Sequence, residues 1–408
     1  MGFPPRVALS WKVALRRNIG SPLFASRTNW NLAPNPLSVA LAERRAAGKP
    51  LLDLTASNPT ECGFAYDAQA ILAALANPAS LIYEPEPRGL RKAREAVCEY
   101  YATRGDSVSA DSVLLTTSTS EAYSYVFRLL CNPGDEILVP QPSYPLFDFL
   151  ADLQDVRLVR YPLLYDHGWQ IDFHALQQAI TPRTRGVIVV HPNNPTGHFC
   201  KAHEIEQLNN VCAPRGMAII ADEVFLDYAL YEEAPNSFAT NAGALTFTMS
   251  GISKIAGLPQ MKVAWLAISG PAALRDSSLS RLEVIADTYL SMNAPVQHAL
   301  HALLQQRRSF HTQLLSRVRA NLAELDRQLT QQQRCTRLAL DAGWHVVLRV
   351  PAARSDEDLA LDLLTAKAVY LHPGHFYDFP SCGFLIASLI TPSAEFARGT
   401  TELLTLLG

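Results

Sequence analysis

The chain has 408 residues, 48% hydrophobic and 18% charged, a globular balance in a length beyond one small core, so two domains are expected. A formal net charge of −3 gives neither nucleic acid nor an anionic membrane an electrostatic reason to bind, which leaves small-molecule chemistry. Seven scattered cysteines with no CxxC pair argue against a disulfide framework or a zinc site, fit reduced thiols and point to the cytoplasm, with no metal expected.

The first twenty residues carry Arg6, Lys12, Arg16 and Arg17, but their apolar residues never form an uninterrupted signal-peptide core. No apolar run approaches the roughly 18 residues of a membrane span. The Pro-rich stretch 31–36 reads as irregular chain packed on a smaller domain, so residues 1–75 are taken as an N-terminal segment and part of that domain. Residues 76–295 form the large domain. Between Ser112 and Gly270, short β-branched runs alternate with helical stretches of about 10 to 15 residues. Seven strands are predicted, over 113–117, 136–140, 156–159, 186–190, 217–220, 245–248 and 263–267. Several are apolar throughout, as in strands buried on both faces of a parallel sheet. The fold class is therefore α/β, with a mostly parallel seven-stranded sheet covered by helices on both faces. A long helix is predicted over about 297–333, where Leu and Ala recur at three- and four-residue spacing. With strands near 344–349 and 384–389 and helices over 356–368 and 394–407, residues 296–408 complete a smaller α+β domain built from both chain ends.

A lysine between a strand and a turn needs a reason, because a desolvated ammonium is costly and its pKa falls. Lys254 stands between two apolar runs. A depressed pKa suits a Schiff-base lysine, since only the neutral amine attacks a carbonyl; an exposed loop lysine is the plainer alternative. Asp222 and Glu223 end a predicted parallel strand, where α/β sheets place their ligands. A buried carboxylate there can keep a pyridine nitrogen protonated, or Asp222 simply caps a helix. Residues 191–197 offer the side-chain amides of Asn193 and Asn194 in a tight turn. The loop 116–120 leads from a strand into a helix, so its N–H groups and hydroxyls suit a phosphate as well as an ordinary cap.

In this order the segments 115–122, 132–136, 142–145, 194–197, 222–224 and 250–254 resemble the class I/II aminotransferases of the pyridoxal-phosphate fold type I, as a divergent member, from about Asn31 to the C-terminus. The resemblance implies pyridoxal 5′-phosphate as cofactor and ping-pong transfer of an amino group between a small-molecule amino donor and a 2-oxo acid. It also implies a homodimer with shared active sites. Lys254 would be the Schiff base and proton shuttle, Asp222 the partner of the ring nitrogen, Asn194 a donor to the ring oxygen, and Tyr144 a stacking ring. Ser118, Thr119, Ser120, Ser253 and Ser250 would hold the phosphate. Tyr83 resembles a tyrosine that reaches the phosphate from the other subunit.

Three departures bear on the substrate. Phe225 stands where the family has a tyrosine, with Tyr228 the nearest substitute. Lys262 replaces a phosphate-binding arginine, supplying a point charge without the bidentate fork. Ile386 occupies the position of the arginine that grips the substrate carboxylate, a principal anchor in the family. Arg88, Arg349, His375 and Lys262 are the candidate replacements, and Asn58 is expected on the substrate side. His372 and His375 flank a Pro-Gly turn, Trp344 reads as core, and Arg91, Lys92 and Arg94 read as a solvated helix face. A lyase, cyclase or oxidase acting on a specialised amino acid remains the alternative to amino transfer.

Overall fold

A computed structural model describes residues 23–231, 235–290 and 292–408; the Arg-rich first twenty residues lie outside the described residues. The strands in chain order are β1 (Leu52–Asp53), β2 (Val113–Thr116), β3 (Glu136–Gln141), β4 (Arg157–Tyr165), β5 (Trp169–Ile171), β6 (Thr184–Val190) and β7 (Ala218–Asp222). They continue with β8 (Thr246–Gly251), β9 (Ala264–Ser269), β10 (Thr336–Arg337), β11 (His345–Arg349), β12 (Val369–Tyr370), β13 (His372–Pro373) and β14 (Phe384–Ser388).

The large sheet runs in the order β2-β9-β8-β7-β6-β3-β4-β5. Its central pairs β8/β7, β7/β6, β6/β3 and β3/β4 are parallel, while β9 runs antiparallel to both neighbours. Each of the seven predicted strands is present, and β5 is an eighth. It escapes sequence reading because only Trp169 and Ile171 of its three residues are buried. Pro162, which donates no ladder hydrogen bond, also hides the continuation of β4 toward the hairpin.

Period-two alternation sends successive apolar side chains to opposite faces. Ile188 and Ile220 join Val126 and Leu282 from the helices Thr119–Leu130 and Ala272–Thr288. Val187, Val189, Ile219 and Ala221 pack on the other face, with Leu208 and Val211 of the helix Ala202–Cys212. Each such Val, Ile or Leu contributes about 1.5–3 kcal/mol through removal from water.

A smaller antiparallel sheet has the order β10-β11-β14-β13, and β1 pairs in parallel with β12. The two chain ends therefore meet in one layer, where the helix Pro36–Ala46 packs on Asp356–Lys367. The long helix, Ala294–Leu329, touches Ala68–Leu75 and Arg91–Ala102 along one part and Ser393–Leu407 along another, so it joins the two sheets' surroundings. Arg94 corrects the reading of a solvated face. It is buried, with Nε donating to the Gly89 carbonyl at 2.9 Å and Nη1 to the Ala110 carbonyl at 2.6 Å. Among the described residues no helix is long and apolar enough to cross a membrane, and the seven cysteines are free.

Candidate active site

A cavity of about 540 Å³ opens at the carboxyl ends of the central strands, where β7 ends at Asp222 and β8 at Gly251. Alternation along the chain separates two consecutive carboxylates. Glu223 turns into the core, where it accepts hydrogen bonds from the Ser237 hydroxyl at 2.8 Å and the Phe238 N–H at 2.6 Å. Asp222 faces the cavity, accepting from the Tyr123 hydroxyl at 3.1 Å and the Val224 N–H at 3.2 Å. Burial pushes the Asp222 carboxyl up to about 6, against the opposing pull of those two hydrogen bonds and of Lys254.

Lys254 lies in the four-residue helix Ile252–Ile255 that follows β8, and its side chain lines the same cavity. Its Nζ sits 4.9 Å from the centroid of Trp344 and 5.8 Å from that of Phe225. Burial lowers its pKa to about 8, with Asp222 opposing the shift. Neutral amine is thus available near physiological pH. The sign gives a prediction: capture of pyridoxal phosphate by the apoprotein should quicken as pH rises and level off above about 8 rather than near the ordinary lysine value of 10.5. Stopped-flow absorbance across pH tests this, and a rate still climbing toward the ordinary lysine value would contradict it.

Asn194 is presented by a turn that the smaller sheet's surroundings clamp. The Gly197 carbonyl accepts from Ala342 N–H at 3.0 Å and Asp341 N–H at 3.2 Å. Gly197 has φ +73°, and a Cβ there would meet the Ala342 oxygen at 2.5 Å, so the turn needs glycine on both counts. Asn194 lines the cavity, and its Oδ1 is buried without a hydrogen-bond partner.

At the opposite wall, Ser118, Thr119 and Ser120 surround the N-terminus of the twelve-residue helix Thr119–Leu130. The cap expected of this loop is present. Ser118 Oγ accepts from Glu121 N–H at 3.1 Å and the Glu121 carboxylate accepts from Thr117 N–H at 2.6 Å, while the three hydroxyl residues still line the cavity. Tyr144 lines it too, 38% exposed, with its ring edge-on to Phe147.

The cavity therefore brings together Ser118, Thr119, Ser120, Tyr144, Asn194, Asp222, Ser253 and Lys254. Several expected residues stand outside its lining. Ser250 is buried and points to the Glu223 carbonyl, 3.4 Å away. Lys262 is exposed, with φ +54°. Tyr83 is 76% exposed. Arg88 donates to the Asp111 carbonyl at 3.1 Å and lies 3.5 Å from Glu283. Arg349 lies over the rings of Tyr165 and Phe384, and His375 packs edge-on against Phe376. Asn58 caps the turn Pro59–Glu61, accepting from Thr60 N–H at 3.2 Å. Tyr228 does not replace the tyrosine missing at Phe225: its hydroxyl donates to the Lys254 carbonyl oxygen, and its ring is buried against His311 and Trp344. Trp344 is buried as predicted, yet it also forms the aromatic surface beside the Lys254 amine.

Sequence reasoning missed Thr55, Ser57, Tyr123, His345, Tyr370 and Tyr377, and named His372 only as flanking a turn; all line the cavity. The one available signal was His345, a polar residue within the apolar run of β11.

A doubly wound sheet that holds a desolvated lysine, a buried carboxylate and a helix N-terminus in one cavity at its strand ends defines an α/β enzyme of the cofactor-binding class. Residues 50–386 match the profile of the aminotransferase class I and II family, and the chain belongs to that family. It is 30% identical over 382 residues to an alanine aminotransferase of Mycobacterium bovis, covering 90% of this chain and 88% of the relative. It is also 30% identical over 260 residues to the glutamate-pyruvate aminotransferase AlaA of Escherichia coli K12, covering 63% of this chain. That match spans 64% of the relative's length. Among solved structures, an alanine aminotransferase from Pyrococcus furiosus shares the fold with a TM-score of 0.83, at 21% identity over 91% of this chain and 95% of that one. A double mutant of Thermus thermophilus aspartate aminotransferase does so at 0.81, with 22% identity over 94% and 99%.

The family depends on pyridoxal 5′-phosphate, and the cavity fits that group. It offers an anion-binding helix end, the side-chain amide of Asn194 on its lining, a carboxylate in Asp222 and an amine of lowered pKa in Lys254.

Proposed function

We propose that the protein is a pyridoxal-phosphate aminotransferase that moves an amino group between an amino donor and a 2-oxo acid in a ping-pong cycle. The observation that carries this reading is the placement of Lys254 and Asp222 in one buried cavity, each with its pKa moved toward neutrality by desolvation. Bound there, the cofactor would supply a carbonyl for the amine and a ring able to accept the electron pair released when the donor loses its α-proton.

The chain's own residues would do the rest. Lys254 Nζ would anchor the cofactor and, as a neutral amine, would serve as the base that takes the proton from the donor's α-carbon. Asp222 would hold positive charge at the ring nitrogen, its carboxylate oriented by the Tyr123 hydroxyl. Asn194 would donate to the ring oxygen, Tyr144 would cover a ring face, and Ser118, Thr119, Ser120 and Ser253 would bind the phosphate. Neither Lys262 nor Ser250 lines the cavity in the single chain.

A homodimer belongs to the same proposal. Tyr83 sits in an exposed apolar stretch with Leu81 and Ile82, and Arg88 links this stretch to Glu283 on a helix that exposes Val284. The exposed apolar run Leu81, Ile82 and Tyr83 suits a second copy, from which Tyr83 would reach the partner's phosphate site. A cytoplasmic location is the matching expectation for free thiols. Phe225 and Ile386 favour a second reading in which the same residues serve a lyase, cyclase or oxidase.

Adding candidate amino donors to the holoprotein and following absorbance decides between the two. Conversion to the pyridoxamine form, reversed by a 2-oxo acid, is the expected result. Product accumulation without that conversion would establish the second reading instead.

A further inference from the structure

The substrate side of the cavity has an unusual charge inventory. Among the described residues its lining contains one lysine, Lys254, and no arginine. Arg88, Arg349, His375 and Lys262 are all turned elsewhere or outside the lining. Ile386, 1% exposed on β14, is paired with Val347 on one side and His372 on the other. Two positions further along, Ser388 is paired with His345. Paired residues of neighbouring strands share a face, so Ile386 shares its face of the sheet with His372 and, two residues along, with His345, and both histidines line the cavity. The His372 ring nitrogen Nδ1 lies 3.2 Å from the Tyr377 hydroxyl.

We propose that His345 and His372 form the binding site for the substrate's carboxylate, and that His372 takes up one proton from solvent as that carboxylate binds. The inference rests on the amino-transfer reading, because it assumes that an amino acid or a 2-oxo acid enters here. Both imidazoles are neutral in the free protein: burial lowers His345 to about 3 and His372 to about 4. His345 faces the Lys254 ammonium and His372, which add to the lowering, and the rings of Phe225, Trp344 and Tyr377. His372 faces the Asp53 carboxylate, which favours its cation, along with Tyr370, Phe376 and Tyr377. His372 is thus the easier of the two to protonate.

A carboxylate brought to this wall without a counter-charge loses its hydration and gains no ion pair. Its own negative charge raises the pKa of an adjacent imidazole, so anion and proton bind together. A guanidinium site carries its charge permanently and takes up no proton. Substrate-anion affinity is therefore highest at low pH and weakens by about tenfold per pH unit while the free imidazole is neutral and the liganded one is still protonated, levelling off once the liganded imidazole also loses its proton.

The test is calorimetric titration of the holoprotein with propionate, a carboxylate that cannot donate an amine, in two buffers of different ionisation heat. Propionamide is the uncharged control. About one proton taken up per propionate is expected, with none for propionamide, and His372→Gln should abolish the uptake. His345→Gln should weaken propionate while leaving the proton uptake in place. Propionate binding without proton uptake would overturn the inference, since it would require a permanent cation. Propionamide binding as tightly as propionate, the absence of measurable binding by propionate, or uptake that persists in His372→Gln would overturn it as well. Should His372→Gln fail to fold, the proton count of the unmodified protein still decides. Proton-linked propionate binding in a protein that no amino donor converts would leave this site standing and remove the amino-transfer reading alone.

Discussion

Lys254→Ala should abolish covalent retention of the cofactor and lower kcat by about 10⁴-fold or more, because one substitution removes both the nucleophile and the proton shuttle. Borohydride reduction followed by peptide mapping measures the first effect: the unmodified protein should yield one labelled peptide spanning Lys254, and the variant none. A labelled peptide in the variant would place the reactive lysine elsewhere. The fold should not suffer. The ammonium is buried, and burial disfavours its charged form, so the apoprotein of the variant should melt no lower than the parent. Lys254→Arg gives a sharper control, since it keeps a cation beside Trp344 and Phe225 but cannot supply a neutral amine.

Asp222→Asn should lower kcat by about 10²–10³-fold, in the range measured when a preorganised charge-stabilising group is removed, while Lys254 still forms its covalent link. The amide keeps the side chain's shape and an acceptor for the Tyr123 hydroxyl, so the effect isolates charge. Removal of the carboxylate also withdraws the interaction that favours the Lys254 ammonium. The midpoint for cofactor capture should therefore move below the parent's value of about 8. Parallel pH titrations of capture in the two proteins read this shift, and a midpoint moving upward would show that Asp222 does not act on Lys254 as described.

The cofactor side of the cavity was legible in sequence because each of its parts is local. Asp222, Asn194, Ser118 and Lys254 each stand at or just beyond the end of an apolar run, and an α/β sheet collects those ends along one edge. Ser250 shows where that logic stops. It is four residues from Lys254, but strand alternation turns its hydroxyl toward the Glu223 carbonyl and leaves Gly251 and Ser253 on the cavity. Arg94 shows a similar limit. A basic run on a helix reads as solvated, yet one of its members is a buried donor to two backbone carbonyls. β5 was hidden by its length, and the end of β4 by Pro162.

The sequence by itself was sufficient for the α/β class, the seven main strands, the family resemblance and eight of the residues that line the cavity. Those features rest on local patterns of burial and on turns whose chemistry is written in consecutive residues. Only the tertiary structure decided which further residues line the cavity. Thr55, His345, His372 and Tyr377 come from opposite ends of the chain and meet because β1 pairs with β12 and β11 with β14. Their charge states were decided there as well, since the neutral imidazoles, the raised Asp222 and the lowered Lys254 all follow chiefly from desolvation. Desolvation depends on everything packed around a group, and no spacing of residues along the chain encodes it.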